Sequence, residues 1–207
     1  IKMSTYLVAV VIGPFEATDE VMVDGVPLRI VHAIGKSHLT DFAIETGKFA
    51  LKYFTDYFGR PYPGDKLDMI AIPDFASGAM ENLGCITYRE ALLLVNKDDA
   101  TQGELTRMAD VVLHEIAQMW FGDLVTMKWW NGIWLNEAFA TFMATKAVDK
   151  FNPKWERWVE FGIEKSAAFD VDSLKSTRPI EYDVISPDDA TAMFDLLTYE
   201  KGGAVLR

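Results

Sequence analysis

The spacing of hydrophobic positions divides the chain into an early part that predicts strands and a later part that predicts helices. Residues 5–12 are β-branched and apolar and predict a buried strand, and residues 21–34 predict two strands joined by an Asp-Gly turn. Residues 66–72 predict another strand, and residues 85–95 predict two short ones. Strands that precede helices in this way indicate an α+β fold.

The helical predictions rest on a longer period and on signals at the helix ends. Residues 39–58 place apolar side chains at helical spacing and are followed by Gly59, which predicts the C-terminal stop. Thr101 and Glu104 form the T-x-x-E pattern of a capping box, which predicts a helix from about 102 to 121, ended by a glycine. Later helical stretches are predicted at about 136–149, from Pro153 through Phe161, and from about 188 or 199 onward.

Composition and charge narrow the classes of function. The 207 residues include 20 Lys and Arg and 31 Asp and Glu, which gives a net charge of -11. No basic face is implied, so we expect neither nucleic acid nor an anionic membrane as a partner. The single cysteine, Cys85, excludes a disulfide framework and a thiolate metal cluster, and no apolar run is long enough to span a bilayer. We therefore expect a soluble, cytoplasmic protein.

A histidine and a glutamate on the predicted helix 102–121 have the spacing of part of a zinc site. His114 and Glu115 match the start of an H-E-x-x-H pattern, in which two imidazoles lie one turn apart on one helical face. Gln118 occupies the position of the second histidine, and Glu137 lies at the start of the next predicted helix. Because an isolated His-Glu pair on a helix usually binds no metal, the pattern alone leaves both interpretations open.

The surrounding sequence resembles a known family. The string H-E-I-A-Q-M-W-F-G-D-L-V-T-M-K-W-W-N-G-I-W-L-N-E-A-F, residues 114–139, closely resembles the zinc-helix region of the aminopeptidase N-like gluzincins. The G-A-M-E-N segment, residues 78–82, resembles the family's exopeptidase signature. Y-E-K-G, residues 199–202, resembles the segment that carries its catalytic tyrosine. The motifs occur in the family's order, and the resemblance covers nearly the whole chain.

The resemblance implies a zinc aminopeptidase and a role for each motif residue. His114, Glu137 and the residue at position 118 would be the ligands of one zinc ion. Glu115 would be the general base that takes a proton from the attacking water. The hydroxyl of Tyr199 would stabilise the oxyanion that forms at the scissile carbonyl. The reaction implied is hydrolysis of the N-terminal peptide bond of a peptide substrate.

Residues 75–84, rich in small side chains, predict a loop or a sheet edge, and the resemblance makes this segment the substrate-binding one. Glu81 would bind the free α-amine of the peptide by a charge-assisted hydrogen bond. The substrate would also lie beside the rest of the signature, Gly78, Ala79, Met80 and Asn82. Asp123, which follows the zinc-type helix, is predicted to be solvated or to cap a helix.

Gln118 departs from the family's pattern. A neutral amide is a weaker zinc ligand than imidazole, and loss of one ligand removes several of the about 10–16 kcal/mol that bind zinc at structural sites. We therefore expect zinc to be weakly bound or absent, and hydrolysis to be impaired. The alternative is a catalytically inactive relative, or an engineered inactive variant, that keeps the groove and binds peptides without cutting them.

The resemblance also implies the fold and its division into domains. Residues 36–207 would form a truncated thermolysin-like catalytic domain, in which a small mixed β-sheet packs on the zinc-site helices. Residues 1–35 would be the tail of a preceding β-domain and supply a few strands. The first residue is Ile rather than Met, so we expect a piece of a longer protein, whose flanking domains would be partners of this one.

Overall fold

The chain folds into two compact units, the first ending at Leu124 and the second spanning Val125–Arg207. The structure is a computed structural model, and it describes residues 2–207. The first unit combines a sheet with two long helices, and the second is helical. The mixed α and β composition predicted from the sequence is thereby confirmed. None of the helices described in residues 2–207 combines the length and hydrophobicity that crossing a lipid bilayer requires.

Within residues 2–207, the strands of the first unit form one six-stranded mixed sheet: β1 (Phe15–Ala17), β2 (Val21–Val23), β3 (Val26–Ala33), β4 (Leu67–Ile72), β5 (Ala79–Met80) and β6 (Cys85–Arg89). The central strands β3, β4 and β6 are parallel, whereas β1 and β2 pair antiparallel with β3 and β5 pairs antiparallel with β6. Because β3 pairs with β4, the sheet continues across residue 35. The division into domains at that residue stays a prediction.

The hairpin and the first long helix form where the sequence predicts them. Asp24 and Gly25 join β2 to β3, and both have positive φ, 49° and 87°, as a two-residue type I′ turn requires. Helix α1 (Asp41–Phe58) ends at Gly59, whose φ of 61° lies in the left-handed region that glycine adopts without steric cost. The apolar face of α1 packs against β3.

Two strand predictions are wrong. Residues 5–12 form a short 3-10 helix, Thr5–Leu7, followed by residues outside any strand, with Ile12 91% exposed. A buried strand needs a neighbouring strand, and none of the described strands pairs with this segment. The second half of 85–95 also forms no strand, because the N–H of Leu94 donates to the Glu90 carbonyl and closes a turn.

Helix α2 (Gln102–Gln118) begins at the predicted capping box. The Glu104 N–H donates to Oγ1 of Thr101, and the Thr101 N–H donates to the Glu104 carboxylate. The helix packs against α1. It ends before the glycine predicted to stop it, because the N–H of Asp123 donates to the Gln118 carbonyl at 2.9 Å in a wide turn.

The second unit is a group of helices packed around α3. Its elements are α3 (Ile133–Phe151), α4 (Arg157–Asp172), α5 (Pro187–Ala192), a π-helical turn (Leu197–Lys201) and α6 (Gly202–Leu206). Helix α3 contacts α4, the π-helical turn and α6. Alanines that are fully buried along α3, at positions 138, 140, 144 and 147, allow these neighbours to approach closely.

Gly202 allows α6 to pack directly on α3. A Cβ at Gly202 would lie 2.6 Å from the Cβ of Ala138, which is closer than two carbon atoms can approach. We expect Gly202→Ala to lower the free energy of unfolding by about 1–3 kcal/mol through overpacking. The measurement is urea unfolding monitored by circular dichroism.

Gly162→Ala is the matched control for that substitution. Gly162 lies within α4 of the same unit, and a Cβ there would meet no heavy atom within 4 Å. We expect the free energy of unfolding of this variant to rise by about 0.4–1 kcal/mol, because alanine restricts the unfolded chain more than glycine does. Equal free energies of unfolding for the two variants would contradict the close packing of Gly202 on Ala138.

Candidate functional site

Helix α2 carries the zinc-type pattern in the first unit. His114 and Gln118 are four residues apart and therefore share one face of the helix, with Glu115 beside them. Glu115 is 7% exposed and Gln118 is 1% exposed, whereas His114 is half-buried. The helix thus buries the predicted base and the glutamine, and leaves the imidazole partly accessible.

The G-A-M-E-N segment forms the edge of the sheet beside α2. The segment 75–84 was predicted to be a loop or an edge, and it contains the short edge strand β5, in which Ala79 pairs with Tyr88 and Met80 with Thr87. Strand β5 contacts α2. The Gly78 carbonyl accepts the N–H of Arg89 at 2.8 Å, which extends the pairing by one residue.

Asn82 holds the turn that follows β5. Its Nδ2 donates to the Leu7 carbonyl at 3.2 Å, and its Oδ1 accepts the Thr87 hydroxyl at 3.0 Å. Its own carbonyl accepts the N–H of Cys85. The side chain of Asn82 is therefore used within the first unit to fix the backbone on one side of Glu81.

Two carboxylates of the first unit are buried within electrostatic reach of one another. Glu81 is 4% exposed and Asp123 is 7% exposed. The pKa of Asp123 is raised to about 8, mainly by loss of hydration and to a smaller extent by the charge of Glu81. The prediction that Asp123 is solvated or caps a helix is wrong, because the turn after α2 folds its side chain inward. The apolar residues on both sides, W-F-G and L-V, were the available sequence signal.

Two buried tyrosines, Tyr88 and Tyr62, lie within electrostatic reach of acidic groups of the first unit, and no sequence motif marks them. Burial raises the pKa of Tyr88, and the charge of Glu115 adds to the effect, so Glu115 lies within reach of the strand paired with β5. Burial also raises the pKa of Tyr62, with a smaller contribution from Asp123. The first unit therefore holds the helix of the predicted base against the strand of the predicted amine-binding segment.

Glu137 and Tyr199 lie on elements that contact each other in the second unit. Glu137 is buried near the start of α3, and its carbonyl accepts the Thr141 hydroxyl at 2.8 Å. Tyr199 lies half-buried in the π-helical turn, which packs against α3. The predicted convergence of Glu137 with His114 and Gln118 stays a prediction, because it joins residues of different units.

The donor set of α2 does not fit a catalytic zinc of the kind that H-E-x-x-H helices hold. That site requires two imidazoles from the helix, and α2 offers His114 and the neutral amide of Gln118. Among residues 2–207, no three His, Cys, Asp or Glu side chains are arranged to hold a metal ion. His32 is buried on β3 with Nδ1 2.9 Å from the Ala33 carbonyl oxygen, and His38 lies in a 3-10 turn, so both have structural surroundings.

The raised pKa of Asp123 predicts a pH dependence of stability. Between the ordinary carboxyl pKa of about 3.9 and the value of about 8, the folded chain retains a proton that the unfolded chain releases. This contribution to the free energy of unfolding therefore falls as pH rises through that window. We expect Asp123→Asn to remove this contribution. The free energy of unfolding of the variant should therefore rise relative to that of the parent between about pH 4.5 and 8.

Urea unfolding at a series of pH values measures this difference. Asp183→Asn is the control, because Asp183 is an exposed carboxylate whose removal leaves the buried pair intact. Parallel pH profiles for the parent and Asp123→Asn would show that Asp123 is ionised normally in the folded chain.

Comparison with known proteins agrees with the motifs. A family model described as "Peptidase family M1 domain" matches residues 42–207. The chain is 47% identical over 205 residues to Aminopeptidase M1-A of Oryza sativa subsp. japonica, covering 99% of the chain and 23% of that protein. It is 44% identical over 207 residues to Probable aminopeptidase 2 of Sulfurisphaera tokodaii, covering 100% of the chain and 26% of that protein. The chain thus spans about a quarter of the length of these relatives, and it belongs to peptidase family M1.

Proposed function

We propose that this chain is the substrate-binding and catalytic segment of an aminopeptidase whose hydrolysis is impaired at Gln118. One observation carries the proposal: in the first unit, the strand β5 of the G-A-M-E-N segment lies against α2, which carries His114 and Glu115. We also propose that the domain is a thermolysin-like gluzincin domain and that active relatives use zinc as their metal. Since the chain spans only a quarter of its relatives, these statements apply to the whole protein only as proposals.

Glu81 is proposed to bind the α-amine of a peptide. An α-amine is positively charged at neutral pH, and a carboxylate in a partly desolvated site binds it by a charge-assisted hydrogen bond. Glu81 follows the edge strand β5, where the backbone of Gly78, Ala79 and Met80 can run beside an extended peptide. Asp123 close by, whose pKa is raised to about 8, is mostly protonated at neutral pH, and a bound cation would favour its ionised form.

Glu115 and Tyr199 are proposed to act on the scissile bond. A buried carboxylate such as Glu115 is suited to accept a proton from an attacking water and to pass it to the leaving amine. The phenol of Tyr199 is suited to donate a hydrogen bond to the oxyanion. Zinc would polarise the scissile carbonyl and acidify the water in a relative that holds it firmly. With one imidazole on α2, this chain lacks the donor set for that contribution.

The partners of the proposed site follow from its chemistry. Its substrates are peptides with a free N-terminus, because Glu81 needs a cationic amine as its partner. The flanking domains of the longer relatives are further expected partners. For Asn82 we propose a smaller role, which is to hold the turn beside Glu81. A cytoplasmic location stays a prediction that rests on the single cysteine.

The alternative function is peptide binding without hydrolysis. It is favoured by the position of Gln118, which is buried on α2 and replaces an imidazole with a neutral amide. A chain of this kind would keep Glu81 and the edge strand and release no product. Restoring the imidazole distinguishes the two functions.

Gln118→His is therefore the direct test of the proposal. We expect the variant to bind zinc at least about 100-fold more tightly than the parent, because one additional ligand contributes several kcal/mol and about 1.4 kcal/mol is tenfold in affinity. Competition with a chromophoric chelator measures that affinity. We also expect the variant to release the N-terminal residue from a free-amine peptide faster than the parent does.

Gln102→His is the matched control, since it adds an imidazole to the exposed first residue of the same helix. It should change neither zinc affinity nor turnover. Equal zinc affinity and equal turnover in the parent and in Gln118→His would contradict the impairment. Tight zinc binding without any turnover in Gln118→His would favour the peptide-binding alternative.

A further inference from the structure

Arg178 joins the loop before α5 to the π-helical turn that carries Tyr199. Its Nη2 donates to Oδ1 of Asp195 at 2.6 Å and to Oγ1 of Thr198 at 2.9 Å. Its Nη1 donates to the Pro179 carbonyl at 3.0 Å. The side chain of Arg178 is 16% exposed and that of Asp195 is 40% exposed, so the guanidinium is the better shielded partner of this ion pair.

Asp195 caps the start of the π-helical turn. Its Oδ1, the atom that Arg178 contacts, also accepts the N–H groups of Leu197 at 3.0 Å and Thr198 at 3.1 Å. The backbone carbonyl of Asp195 accepts the N–H of Tyr199 at 3.1 Å. A carboxylate at this end of a helical segment satisfies N–H groups that would otherwise lack intrahelical partners. The orientation of Asp195 therefore sets the backbone at Tyr199.

The turn that Asp195 caps has an uncommon geometry. The N–H of Gly202 donates to the carbonyl of Leu197, five residues earlier, which is the hydrogen bond that defines a π-helix. Such turns occur mostly as single turns within α-helices and frequently at functional sites. The C-terminal end of the turn is held by the packing of Gly202 on Ala138. The N-terminal end is held by Asp195 and, through it, by Arg178.

We infer that Arg178 is a positioning residue for Tyr199, acting through Asp195 on the π-helical turn. The inference rests on the proposed role of Tyr199 as the oxyanion donor. A donor of this kind stabilises the transition state only when it is held within about 0.5 Å of its productive position. Among residues 2–207, the hydrogen bonds that Arg178 donates go to groups of the second unit.

A lysine at position 178 could not make all the hydrogen bonds that Arg178 makes. Nη1 and Nη2 of the guanidinium reach carbonyls of Pro179 and Met193 in addition to Asp195. A lysine ammonium could keep the ion pair with Asp195 but could not span these acceptors. Arg178→Lys should therefore position Tyr199 in part, whereas Arg178→Met should no longer position it.

The test is fluorine NMR of the full chain with 3-fluorotyrosine at position 199 alone. We expect one narrow resonance in the parent, a shifted or broadened resonance in Arg178→Met, and an intermediate result in Arg178→Lys. Asp172→Asn is the matched control: Asp172 accepts Nζ of Lys201 at 2.7 Å, so this variant removes an ion pair from the same turn without changing its cap. An unchanged resonance in a folded Arg178→Met variant would overturn the inference.

Asp195→Asn serves as the second variant if Arg178→Met does not fold. It keeps an oxygen for the N–H groups of Leu197 and Thr198 and removes the ion pair with Arg178. The Tyr199 resonance should shift or broaden in this variant too. An unchanged resonance in folded Asp195→Asn would equally overturn the inference.

A kinetic cycle in the Gln118→His background separates this inference from the proposed function. We expect Arg178→Lys to lower kcat about tenfold with little change in KM, and to cause no further loss when Tyr199→Phe is already present. Additive losses would show that Arg178 acts independently of Tyr199 and would overturn the inference. A Tyr199→Phe variant with undiminished kcat would instead refute the proposed role of Tyr199, and the fluorine result would still decide whether Arg178 positions its ring.

Discussion

The face that α2 buries is the constraint on which the first unit depends. Val112, Leu113 and Ile116 are fully buried on this helix, and α2 packs against α1 and touches the edge strand β5. Once these apolar residues are buried, the direction of every other side chain on the helix is set by the helical period. The half-buried His114 and the buried Glu115 and Gln118 follow from that geometry. The capping box at Thr101 fixes where the helix begins and therefore which residues reach β5.

The same burial places acidic groups in a poorly hydrated region. Glu81, Glu115 and Asp123 are buried in the first unit, and the raised pKa of Asp123 shows the cost of ionising a carboxyl there, which comes first from lost hydration and then from the charge of Glu81. A cationic ligand reduces that cost, whereas an anionic one adds to it. This preference for cations agrees with a site that recognises the α-amine of a peptide. In the second unit, the π-helical turn that carries Tyr199 is held at both ends. The ion pair of Arg178 with Asp195 holds its start, and the packing of Gly202 on Ala138 holds its end.

Sequence alone predicted the elements with local signals and missed those that depend on distant partners. The Asp24-Gly25 turn, the stop at Gly59 and the capping box of α2 are encoded by adjacent residues, and each forms as predicted. Residues 5–12 have strand-like side chains, but a strand needs a pairing partner, which local sequence does not specify. The burial of Asp123 depends on a turn closed across five residues, and the Arg178 contacts join positions 15 to 20 residues apart. The family could be identified from the motifs, whereas the roles of the residues within them remain proposals.

Binding of a peptide with a free N-terminus, compared with its N-acetylated twin, tests the central claim most directly. The account predicts that the parent chain binds the free peptide at least about tenfold more tightly, a difference of about 1.4 kcal/mol, and that Glu81→Gln abolishes this preference. Fluorescence anisotropy of labelled peptides measures the affinity of the parent chain for each of the two peptides. Equal affinity of the parent chain for the two peptides would contradict the assignment of Glu81 as the group that binds the amine.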